Sequence, residues 1–73
     1  MIQDATVARQ ISDLMIEFSI RLDSSIVTVQ EKCSADEFKI YRRAVGGILG
    51  EMLLGIMNPL YAEHPALKPP GME

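Results

Sequence analysis

His64 beside Glu63 is the first place in this chain to look for chemistry, because an imidazole next to a carboxylate can shuttle protons or help to hold a metal. A general base also needs a nucleophile and a pocket, and no serine or cysteine motif accompanies the pair. A closed metal site wants about four ligands, and the sequence around His64 supplies no such set. The expected role is packing or capping at the end of a short turn. No catalytic residue, metal site or cofactor is therefore assigned.

Cys33 is the single cysteine, so no intrachain disulfide exists. The acidic neighbours Glu31, Asp36 and Glu37 disfavour a thiolate, and Cys33 reads as a small buried hydrophobe. Glu51 is the only charge between Arg43 and Glu63. A buried carboxylate there would mark a site, whereas the solvent edge of an amphipathic helix is the simpler reading. Lys39, Arg42 and Arg43 cluster around Tyr41, but three cations against a net charge of −3 give no nucleic-acid signal. They are expected to form a solvated face, pairing with acidic groups such as Asp13, Glu17 or Asp23.

The elements that carry these residues are helices. Ser34 followed by Glu37 is a capping box, with Cys33 and Phe38 flanking it as a hydrophobic staple and Asp36 in the first turn. A helix therefore starts near residue 35, inside a chain that is helical in pattern on both sides. Before it, Val7, Ile11, Leu14, Met15, Phe18, Leu22, Ile26 and Val29 recur at spacings of three and four. They predict one helix from about 4 to 32, capped by Asp4 and continuous through Asp23-Ser24-Ser25. After it, Phe38, Tyr41, Val45, Ile48, Leu49, Met52 and Ile56 predict a second helix over 35–57. Asn58-Pro59 should end that helix and open a short turn over 59–63, with 66–73 as an extended tail.

With 73 residues, 48% hydrophobic and 23% charged, this is one globular domain near the size where a single core is only marginally stabilising. The fold class is all-α: an antiparallel helical hairpin spanning 1–65. Two helices do not bury everything the sequence offers. Ile2, Ile16, Ile20 and Val27 form a second apolar line on the first helix. Gly46, Gly50, Leu53 and Met57 form a second face on the other. Each interior glycine costs about 1 kcal/mol relative to alanine, and close approach between helices is one reason to keep it.

Two hairpins pairing as a dimeric four-helix bundle would bury both extra faces. The interface candidates are Ile16, Ile20, Val27, Gly46, Gly50, Leu53 and Met57. The expected function is a small, non-enzymatic, cytoplasmic homodimer acting by protein–protein interaction, with an unknown protein partner and no nucleic acid. Two other classes compete with it. The segment 44–62 is apolar apart from Glu51 and contains GxxxG, which would suit a membrane-associated protein. Against insertion stand Glu51 near its middle, Asn58-Pro59 near its end and the four glycines. Met15, Met52 and Met57 could instead line a small-molecule pocket between the helices.

Overall fold

A computed structural model of the chain describes residues 1–69. Helix α1 runs over Ala5–Lys32, α2 over Ala35–Met52 and α3 over Asn58–Glu63; a π turn at Leu53–Met57 joins α2 to α3, and a 3-10 turn follows at Pro65–Leu67. The chain is all-helical among the described residues, folded as two antiparallel helical arms.

Local chemistry sets the ends of both arms. Asp4 Oδ1 accepts from the backbone N–H groups of Thr6 and Val7 at 2.9 and 3.0 Å, satisfying two donors that have no partner inside the helix. Helix α1 then runs unbroken through Asp23-Ser24-Ser25. The serines bond back along the helix: Ser24 Oγ donates to the Ile20 carbonyl and Ser25 Oγ to that of Leu22. At the corner, the Glu37 N–H donates to Ser34 Oγ at 3.2 Å, while Glu37 Oε1 accepts from the Ser34 N–H at 3.1 Å. The reciprocal bonds that define a capping box are both made. Cys33, however, is exposed rather than buried, because it sits at the tip of the corner where no third element covers it.

The second arm departs from expectation at Asn58-Pro59. Asn58 has helical backbone angles and no capping role, and the arm continues through Pro59 to Glu63. Pro59 lacks an N–H, and in α register its ring would meet the carbonyl four residues back, that of Gly55. The π turn removes the conflict, since the Asn58 N–H donates to the Leu53 carbonyl five residues back. Beyond it, the expected extended tail is instead turned at its start. The Leu67 N–H donates to the His64 carbonyl, and Leu67 packs against the core. The remainder of that tail, residues 70–73, lies outside the described residues.

The core is small and sits at the open end of the hairpin. Ala8, Met57, Leu60 and Tyr61 are buried together, with Ile2, Ile11, Met15 and Leu67 packed against them. Val45 and Ser12 complete the buried set among the described residues. Helix α1 is thus rotated from the orientation that its largest side chains suggest. Val7, Leu14 and Phe18 are 42, 43 and 52% exposed, while Ala8 and Ser12 face inward. Small residues there let the arms approach closely, and the next subsection gives the polar reason for the rotation.

Removing the cap tests this corner. Ser34→Ala should cost about 1 kcal/mol in chemical denaturation. The two Ser34 hydrogen bonds, from backbone and side chain, hold the Glu37 carboxyl below the ordinary glutamate value. A depressed folded pKa means that this contribution is present above the unfolded value and is lost as pH falls through the folded one. The difference between wild type and Ser34→Ala should therefore shrink on acidification below the normal glutamate range, and a pH series of urea melts checks it.

Candidate functional site

The polar groups inside the hairpin are two hydroxyl pairs that join its arms. Ser12 Oγ and Tyr61 Oη lie 2.7 Å apart in the buried core. Ser25 Oγ and Tyr41 Oη make a half-buried pair, also at 2.7 Å. Ser25 already donates its one proton to the Leu22 carbonyl at 2.6 Å, so Tyr41 is the donor to Ser25. No buried side-chain nitrogen or oxygen lacks a partner among the described residues. Each serine spends its hydroxyl on a tyrosine with no free base nearby, so these pairs are structural clamps rather than an activated nucleophile.

His64 is likewise a clamp. Its Nε2 lies 2.6 Å from the Ile2 carbonyl, which can only accept, so that nitrogen is the donor. Glu63 Oε2 stands 4.0 Å from the ring and its Oε1 lies 2.7 Å from the Met1 ammonium. Among the described residues no three His, Cys, Asp or Glu side chains are grouped to hold a metal ion. Glu51 is exposed. The basic cluster has none of the ion pairs expected with Asp13, Glu17 or Asp23. Arg42 instead lays its guanidinium over the Phe38 ring, 5.8 Å from the centroid.

What remains is apolar surface, arranged on two sides of the hairpin. On one side, Ile16, Ile20, Leu49, Leu53 and Met57 line a groove with Ser19 and Pro69. Leu49 continues into a second groove with Ile26, Val27 and Gly46, edged by Asp23, Ser24 and Arg42. Six of the seven interface candidates thus fall along one continuous strip. Gly50 is the exception, since it lines neither groove. Met57 contributes floor rather than rim, being 5% exposed and part of the core.

On the other side lie Phe18 and Ile48. Phe18 is seven residues from Ser25 and Ile48 seven from Tyr41, two turns along each helix, so both share the side that the Ser25–Tyr41 bond marks. The strip and this opposite side flank the same seam.

The glycines have no reason for being within one chain. A Cβ built at Gly46, Gly47, Gly50 or Gly55 would meet nothing within 4 Å, so the expected close approach is not made between the hairpin's own arms. Met57 lines its groove without Met15 or Met52, so the three methionines do not frame a common pocket. One helix, Ala35–Glu63 taken through its π turn, is long and apolar enough by length and composition to cross a membrane. No protein-family model, curated protein or solved structure matches this chain.

The clamps generate a sharp energetic expectation. Tyr61→Phe should leave Ser12 Oγ buried and short of a partner, costing about 1–3 kcal/mol. Adding Ser12→Ala removes the orphan, so the double variant should be less destabilised than the sum of the singles. A double-mutant cycle by urea denaturation measures that coupling.

Proposed function

We propose that this chain is a non-enzymatic interaction protein that works as a homodimer, two hairpins forming a four-helix bundle. The carrying observation is the uncovered apolar strip through Ile16, Ile20, Val27, Leu49 and Leu53. Ile20 is 61% exposed and Val27 51%, and among the described residues only Ala8, Ser12, Val45, Met57, Leu60 and Tyr61 are buried. A contiguous apolar patch on so small a core is the mark of an interaction surface. The glycine on the strip supports a backbone-close contact from outside the chain, since nothing inside it needs Gly46 to be small.

Dimerisation along the strip leaves the opposite side, with Leu14, Phe18 and Ile48, for a protein partner. That division of labour fits a regulator or adaptor better than an enzyme, since the polar groups are spent on holding the fold. An exposed lone Cys33 suits a reducing compartment such as the cytoplasm.

The membrane reading draws on the length of the second arm. It would place Glu51 in lipid and would have to pull Tyr41 and Tyr61 from their serine partners, whereas a bundle keeps those bonds. Flotation with neutral phospholipid vesicles separates the two. A bundle stays at the bottom of the gradient, and an inserted helix floats.

Sedimentation equilibrium at micromolar concentration should give twice the chain mass. Ile20→Asp or Leu53→Asp should weaken dimerisation at least about tenfold by burying a carboxylate, while Phe18→Asp on the opposite side should leave it unchanged. A folded wild-type monomer would overturn the reading.

A further inference from the structure

The strip is graded along its length, and the gradient selects one way of pairing. Near the open end it is almost purely aliphatic, with Ile16, Ile20 and Leu53. Toward the corner it carries an acid on α1, Asp23, and a base on α2, Arg42, on the rims of one groove. Asp23 and Arg42 form no ion pair with each other, nor with another group among the described residues. Two copies can join such a strip face to face about either of two axes. An axis across the helices sets the corners at opposite ends and lays the charged end of each copy on the aliphatic end of its mate. That buries Asp23 and Arg42 against hydrocarbon, at several kcal/mol per ion. An axis along the helices sets the corners side by side and lays α1 of each copy over α2 of the other. Aliphatic then meets aliphatic, and each Asp23 meets the Arg42 of the second copy.

We infer that the second copy docks about the axis parallel to the helices, with both corners at one end and two symmetric Asp23–Arg42 pairs across the interface. The inference rests on the homodimer proposed above. Steric fit supports it independently of charge. Ser25 lies level with Tyr41, because their hydroxyls bond. The arms are antiparallel, so five residues further along each, Ile20 lies about level with Gly46. Laying α1 of one copy over α2 of the other therefore sets Ile20, more than half exposed, above the bare backbone of Gly46, where a Cβ would meet nothing in its own chain. A side chain seated over a glycine is the close packing that explains that glycine.

The native Cys33 provides the test, being the chain's single cysteine, exposed, and at the corner. Nitroxide labels on Cys33 in the full chain, read by double electron–electron resonance, should lie within about 30 Å of each other. Corners at opposite ends would separate them by at least about 40 Å, the length of a 28-residue helix. That longer distance overturns the inference and leaves the homodimer standing. Absence of dipolar modulation at concentrations well above micromolar overturns the homodimer itself.

Charge reversal gives a second, independent readout. Asp23→Arg and Arg42→Asp should each weaken self-association about tenfold, because like charges then face each other at both symmetric contacts. Mixing the two variants should restore dimerisation to near wild type, since every cross-copy contact in the mixed dimer again joins opposite charges. Failure of the mixture to recover overturns the pairing.

Discussion

A tyrosine hydroxyl buried without a hydrogen bond costs about 1–3 kcal/mol, a large share of what a domain this small has to spare. The second arm brings in two tyrosines, at 41 and 61, and α1 answers each with a serine. The buried Ser12–Tyr61 bond fixes the rotation of α1 about its own axis, and the half-buried Ser25–Tyr41 bond ties its flank to the second arm. Ser12 turns toward the second arm and Ala8 follows it one turn away, while Val7, Leu14 and Phe18, roughly 120–160° around the helix from Ser12 and in line with Ser25, stay on the flank despite their greater apolar area. Hydrophobic burial is non-directional and would accept many rotations, whereas a 2.7 Å bond between hydroxyls accepts very few. The polar pairs therefore choose among packings that the apolar residues leave open.

This ordering explains what the sequence could disclose. The Asp4 cap and the Ser34–Glu37 box are local events, complete within four residues, and they were legible together with the unbroken run of α1. The rotation of α1 was not legible. Periodicity reveals that a helix has apolar faces but ranks them by size, and here the inward face is lined by Ala8 and Ser12. A tyrosine in the pattern reads as one more apolar residue, and its need for a partner 16 or 49 positions away leaves no local trace. The strip was legible for the converse reason. Ile16, Ile20 and Val27 stand out as apolar residues that a two-helix core does not need; Ile20 and Val27 are exposed and Ile16 is half-buried. Gly46 reads as a place for close approach, and no neighbour in its own chain makes that approach.

Asn58-Pro59 shows how a local rule can yield to a distant requirement. Proline after asparagine reads as a helix end, and in an isolated peptide it would be one. Within the hairpin, the four residues after Pro59 include Leu60 and Tyr61, two of the most buried side chains. Ending the helix at residue 57 would leave their direction unspecified. The chain keeps its helix and accommodates the proline by widening one turn.

That widened turn also solves a problem of angle. Tyr41 and Tyr61 are 20 residues apart, and at 3.6 residues per turn an uninterrupted α-helix would set them about 200° apart. Tyr41 points toward α1, so Tyr61 would point almost directly away from it and Ser12 would have no partner. The π turn at Leu53–Met57 inserts roughly one extra residue into the helical count and takes back about 100°. Met57, Leu60 and Tyr61 swing toward α1 and form the core with Ala8. Leu49, upstream of the turn, and Leu53, at its first position, stay on the flank, where they extend the apolar strip instead of entering that core. One irregular turn thus places the buried tyrosine that holds the hairpin together and leaves uncovered the surface through which a second copy would join it.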